Sequence, residues 1–160
     1  MNIKTRLSEK KDLPSLVALN NTVWNADNSP GLIDWESEEQ YERHSPPGSQ
    51  IVAECEGKIC GYISLNQPTK LPSNRHVMEI AIAVSPDYRQ MGIGKMLLDA
   101  AYGWGKRNGK RKISLRVLST NEAGIQFYLK CGFTIQGRLV DEFLIDNRYV
   151  DDIFMYKLIE

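Results

Sequence analysis

The chain has 160 residues, 42% hydrophobic and 25% charged, the make-up of an ordinary single globular domain that can bury a full core without disulfide or metal staples. Lys plus Arg and Asp plus Glu both number 20, so no net field draws the chain to nucleic acid or to an anionic membrane. Cys55, Cys60 and Cys131 are an odd number without metal-ligand spacing, Met1 to Asp12 is polar, and no apolar run reaches about 18 residues; these features predict a metal-free cytoplasmic protein.

In chain order, Asn2 to Leu7 predicts a strand, and Asp12 offers an N-cap to a helix carrying Leu13, Leu16, Val17, Leu19, Asn20 and Val23 that stops near Trp24. Prolines and glycines break the pattern from Asn25 to Ser49, with a short helix expected around Glu36 to His44. Gln50 to Cys55 and Ile59 to Leu65 read as a hairpin about Glu56-Gly57-Lys58. His76 to Val84 reads as one strand, apolar on both faces over its last five residues. A helix from Gly92 to Asn108-Gly109 then carries Ile93, Met96, Leu97, Ala100, Ala101 and Trp104 at three- and four-residue spacing. Lys112 to Leu118 is a strand reached through that helix and therefore expected parallel to the one before it. A helix from Asn121 to Lys130 stops at Gly132, and Phe133 to Ile145 with Tyr149 to Leu158 forms a long hairpin around Asp146-Asn147.

The segment from Ala81 to Leu98 is the most informative. It reads as strand, turn and helix, with Gly92 and Gly94 in the helix's first turn and Arg89 just ahead. The first N–H groups of a helix lack intrahelical partners and lie at the positive end of its dipole, so an anion docks there, and glycines let it approach the backbone. The spacing lacks the third glycine of a dinucleotide fingerprint and the Gly-Lys-Ser/Thr ending of a P-loop.

Arg89-x-x-Gly92-x-Gly94 after Ala83-Val84-Ser85-Pro86 resembles the acetyl-coenzyme A loop of the GNAT acyltransferase superfamily. The segment Asn121 to Phe133, with Ala123, Tyr128 and Gly132-Phe133, resembles that family's later motif, and the likeness extends over essentially the whole chain. It implies an α/β fold with a mixed central sheet, helices on both faces, splayed parallel strands that admit the cofactor, and a C-terminal β-hairpin. It also implies that acetyl-CoA places its pantetheine arm along Ile82, Ala83 and Val84 and its pyrophosphate on the N–H groups of Gln90, Met91, Gly92, Ile93, Gly94 and Lys95, with Arg89 and Asn121 in contact. Tyr128 would be the acid that protonates the departing thiolate.

An amine attacks a thioester only when neutral, so a base is wanted. Glu79 is the one carboxylate in the strand from His76 to Val84 and the first candidate; His76 is a second and His44 a third. Some family members carry a glutamate five residues before the Asn, but this chain has Arg116 there. The resemblance sets the acceptor between the segment from Trp24 to Trp35, the strand at Glu79 and the C-terminal hairpin, which is similar to the closing strands of spermidine acetyltransferases. Asp34, Glu36, Glu38 and Glu39 read either as an acidic rim for a polycation or as solvated charges.

The expected function is therefore acetyl-CoA-dependent N-acetylation of a small-molecule primary amine: a polyamine, an amino acid or an amino sugar. Protein N-terminal or lysine acetylation, a non-catalytic acyl-CoA sensor and a nucleotide-binding module are the alternatives. The long C-terminal hairpin makes a homodimer a further expectation.

Overall fold

Both hairpins turn on two residues with positive φ, which joins strands with their natural twist. The strand β2 (Gln50–Cys55) passes through Glu56 (φ 50°) and Gly57 (φ 82°) into β3 (Lys58–Ser64), and β7 (Thr134–Ile145) passes through Asp146 (φ 50°) and Asn147 (φ 60°) into β8 (Arg148–Leu158). Around them the computed structural model, which describes residues 2–160, places β1 (Ile3–Leu7), β4 (Val77–Glu79), β5 (Ile82–Val84) and β6 (Lys112–Leu118). The helices are α1 (Leu13–Val23), α2 (Glu38–His44), α3 (Ile93–Arg107) and α4 (Glu122–Lys130).

The strands form two sheets, ordered β1-β2-β3-β5 and β4-β6-β8-β7. Among the described residues only the β4–β6 pair is parallel, as its helical crossover requires. Here the structure corrects the sequence reading, because His76 to Val84 is not one strand. Ile80 N–H still donates to Ser114 of β6 at 2.9 Å, but the next residue has changed partner. Ser64 N–H donates to the Ala81 carbonyl at 2.9 Å, and the Ser64 hydroxyl accepts from Ala81 N–H at 2.9 Å. The chain thus crosses from one sheet to the other between Ile80 and Ile82. The apolar run from Ile80 to Val84 does not reveal such a change, because the partner of each residue is set by strands distant in sequence.

Alternation along β2 divides the core. Ile51, Ala53 and Cys55 join Leu97, Leu98 and Ala101 of α3, whereas Val52 packs with Leu13, Leu16 and Leu19 of α1 and Tyr41 of α2. Helices therefore cover both faces of the first sheet. On the second sheet Ile113, Leu115, Val117, Ile153 and Met155 are buried in the α3 layer, which turns Arg116 and Phe154 to the opposite face. Cys55 and Cys60 are buried core thiols, and all three cysteines are free.

Asp12 precedes α1 without capping it through its side chain. Its carboxylate accepts from Arg6 Nη1 and Nη2 at 2.8 and 2.9 Å and from Glu9 N–H at 2.8 Å, tying β1 to the turn that enters the helix.

Candidate active site

β5 ends its sheet, so one of its edges pairs with β3 and the other is free. The chain continues through Pro86–Tyr88 and two left-handed residues, Gln90 (φ 62°) and Gly92 (φ 77°), into α3. Only glycine adopts the second of these without cost, and Gln90 is strained there. The first intrahelical bond runs from Met96 N–H to the Gly92 carbonyl at 3.0 Å, which leaves the N–H groups of Ile93, Gly94 and Lys95 without intrahelical partners. Gly94 serves packing: a β-carbon there would lie 3.1 Å from Cζ of Phe127, so its absence lets α3 approach α4.

α4 is capped by Asn121, whose Oδ1 accepts from Gly124 N–H at 3.0 Å. A β-carbon on residue 124 would fall 2.6 Å from the Asn121 amide nitrogen, so the cap and the glycine go together. The free edge of β5, the start of α3 and this end of α4 enclose a cleft of about 540 Å³. Of the residues singled out in the sequence, Ile82, Val84, Arg89, Gln90, Gly92, Ile93, Gly94, Lys95, Asn121 and Tyr128 line it. Ala83 and Met91 do not. Ala83 is buried against the α1 layer, because alternation turns its side chain away from Ile82 and Val84, and the Met91 side chain is exposed to solvent. Tyr88 and Phe127 also line the cleft and were not singled out in the sequence; an aromatic at helical spacing reads as core.

Tyr128 is half-buried, with its ring edge-on to Phe127 at 5.3 Å and to Phe133 at 5.7 Å. Burial pushes its phenol well above the usual tyrosine range, nearby Cys131 adds to the effect, and no hydrogen bond offsets it. The group keeps its proton at neutral pH.

Tyr128 also lines a second chamber, of about 250 Å³, with Trp24, Asn28, Pro30, Ile33 and Arg116; Ile82 and Asn121 belong to both walls. A third, of about 320 Å³, shares Asn28, Pro30, Ile80, Ala81 and Arg116 with the second and adds Glu79, Phe143 and Asp152. The irregular segment after α1, the crossing between β4 and β5, and the hairpin β7–β8 thus meet on the far side of Tyr128 from the glycine turn. Trp24 is held there by a buried network: its Nε1 donates to Asn20 Oδ1 at 2.9 Å, which also accepts from Tyr62 at 2.7 Å. Asn20 Nδ2 donates in turn to the Leu16 carbonyl at 2.9 Å and to the Tyr41 hydroxyl at 3.1 Å. Asn20, an apparent helix-face residue in the sequence, is the hub.

Arg116 Nε donates to Asp152 Oδ2 at 2.7 Å, Nη2 pairs with the same oxygen, and the guanidinium lies 5.0 Å from the Phe154 ring centroid. Asp152 was not singled out in the sequence, because a carboxylate on a half-exposed strand looks like a surface charge. His76 is exposed, and the His44 ring lies tilted against Trp35 at 5.0 Å with Nδ1 2.9 Å from the Ser45 hydroxyl; neither lines the clefts. Asp34, Glu36, Glu38 and Glu39 line none of the three either.

A turn with free N–H groups at one end and an amine-sized pocket at the other, joined at a protonated tyrosine, can hold an anionic carrier and present its far end to a nucleophile. The acetyltransferase (GNAT) family model matches residues 16–133. The chain belongs to the GNAT family. As a GNAT N-acetyltransferase it is similar to spermidine N(1)-acetyltransferase of Escherichia coli K12, 28% identical over an alignment 170 positions long that covers 96% of this chain and 84% of that enzyme. Its fold superposes on smu.2055 of Streptococcus mutans UA159 with a TM-score of 0.91, at 28% identity over 98% of this chain and 99% of that one. A GNAT phosphinothricin acetyltransferase of Sinorhizobium meliloti, in complex with acetyl-CoA, gives a TM-score of 0.86 at 26% identity over 99% and 89% of the two chains. Among the described residues no helix is long and apolar enough to cross a membrane, and no group of three His, Cys, Asp or Glu side chains is arranged to hold a metal ion.

Proposed function

We propose that this GNAT enzyme transfers the acetyl group of acetyl-CoA to the primary amine of a small molecule by direct attack on the thioester. The observation that carries this reading is that Tyr128 lines both the glycine-turn cleft and the chamber of Trp24 and Arg116, which in turn shares Ile80, Ala81 and Arg116 with the chamber of Glu79. The pyrophosphate would rest on the free N–H groups of Ile93, Gly94 and Lys95, with Arg89, Gln90 and Met91 forming the turn ahead of them. The pantetheine arm would lie along the free edge of β5 as an added strand, using backbone groups of Ile82, Ala83 and Val84. Asn121 would border the arm.

The amine, once neutral, forms the new C–N bond as the C–S bond breaks, and the electron pair stays on sulfur. The Tyr128 phenol protonates that sulfur and is refilled from solvent; the proton lost by the amine goes to Glu79, directly or through one water. Chambers of about 250 and 320 Å³ suit a small acceptor better than a peptide laid across a groove. A homodimer is part of the same reading, supported by the position of β7 at the edge of its sheet and by exposed Val140, Leu144 and Tyr149 on the hairpin.

The test is release of free thiol from acetyl-CoA in the presence of polyamines, amino acids, amino sugars and peptides. Turnover of a small amine above hydrolysis supports the proposal, and turnover of peptides alone, or of nothing, overturns it.

A further inference from the structure

Arg116 is the one cation among the described residues lining the two chambers beyond Tyr128, and it lines both. Its position is built. β6 buries Leu115 and Val117 on either side of it, which turns the guanidinium to the chamber face. The Asp152 side chain, 4% exposed, takes Nε and Nη2 on a single oxygen, and the Phe154 ring lies beneath the guanidinium. The Arg116 side chain itself is 46% exposed. A guanidinium has five N–H donors in a planar fork, and engaging it from the Nε side leaves the Nη1–Nη2 end for a second, bidentate anion. Asp152 thereby orients the cation and balances its charge, and Glu79 remains as the one acidic side chain lining these chambers without a cationic partner.

A polyamine carries two or more positive charges and would meet a fixed guanidinium opposed by a single free carboxylate. A molecule with a carboxylate next to its amine fits the same walls with every charge matched: carboxylate on the Arg116 fork, amine toward Glu79 and the Tyr128 end. Trp24, Pro30 and Ile33 then supply an apolar wall for a side chain. We infer that the acceptor is an α-amino acid or a close analogue, and that Arg116 is the residue that selects it by binding its carboxylate. This inference rests on the acetyltransferase reading above.

The experiment compares each amino acid with its own carboxamide as acceptor for acetyl-CoA, in the wild type and in Arg116→Lys and Arg116→Met, with polyamines alongside. Replacing the carboxylate by an amide makes the amine less basic, which by itself favours the amide, so a preference for the acid cannot come from basicity. In the wild type, kcat/KM for the acid is expected to exceed that for the amide by about 30-fold or more, because a site built around a charged hydrogen-bond partner rejects the analogue lacking it. Both variants should raise KM for the acid with kcat little changed and leave the amide nearly unaffected, so that the acid-to-amide ratio falls toward one. The ratio does not depend on the fraction of folded enzyme, and Arg116→Lys keeps a cation beside the buried Asp152, so loss of folding cannot imitate the result.

Equal use of acid and amide by the wild type, an equal loss on both in the variants, or faster turnover of polyamines than of any amino acid overturns the inference and leaves the acetyltransferase standing. No turnover of any amine overturns both.

Discussion

Tyr128 lines both the glycine-turn cleft and the chamber of Trp24 and Arg116, and its protonation state follows from burial. A phenol near pH 7 is already neutral, and desolvation makes it harder still to ionise. A proton held in this way is available to an anion that appears beside it, such as a departing thiolate. Tyr128→Phe keeps the ring between Phe127 and Phe133, so acetyl-CoA affinity should stay within about threefold while kcat falls about 10²-fold or more; unchanged kcat would remove the acid role. Because the phenol's pKa is raised, it stays protonated below the ordinary tyrosine value, so kcat/KM should rise with pH as the amine loses its proton and should not fall again below about pH 10. A decline near pH 8 would assign the acid to another group. In the function proposed above, Glu79 would take a proton and Arg116 would fix a charge.

At the scale of elements, short polar contacts decide how the helices meet the sheets. Arg6 of β1 holds Asp12 at the entry to α1 with two hydrogen bonds. That bond, with burial opposing it, keeps the Asp12 carboxyl below its ordinary 3.8. Removing the cation with Arg6→Met should destabilise the protein by about 2 kcal/mol at neutral pH, the range for a hydrogen bond to a charged group. The depressed carboxyl sets the sign of the pH dependence. Its contribution is fully present above the ordinary value and is lost as pH falls through the folded one, so the gap between wild type and variant should close between about pH 4 and the acid limit. Urea unfolding at a series of pH values measures it, and a gap that does not shrink in acid would show that the pair is not its source.

Element boundaries were largely legible: β6 spans Lys112–Leu118 as its residue pattern predicts, one hairpin turns on Asp146-Asn147 as expected, and the other turns within the expected Glu56-Gly57-Lys58, although Lys58 already belongs to β3. The crossing at Ile80-Ala81 was not. It depends on a serine 17 residues earlier, Ser64, whose N–H and hydroxyl both engage Ala81.

Taken as a whole, the molecule is two four-stranded sheets, and its largest described cleft lies between the free edge of β5 in the first sheet, the start of α3 and the start of α4. A ligand seated there touches β5, α3 and α4 together and binds only when these elements are assembled. Acetyl-CoA at 100 times its Kd should therefore raise unfolding stability by about 2.7 kcal/mol. Thermal or urea unfolding with and without acetyl-CoA reads this directly, and no shift at saturating concentration would show that this cleft does not hold the carrier.

The sequence by itself determined the glycine turn, the capped helix that follows it in space, and hence the family resemblance. Positive φ at Gly92, free N–H groups at the start of α3 and the Asn121–Gly124 cap are properties of a few consecutive residues, and they can be read from residue type and spacing. Only the tertiary structure decided which side chains line the chambers beyond the cleft. Trp24, Glu79, Arg116, Tyr128 and Asp152 come from five separate elements or connections, and what brings them together is the change of sheet after β4 and the β6–β8 register that sets Arg116 beside Asp152. Register follows from the burial of the opposite face, a property of the assembled core that no short stretch of chain carries.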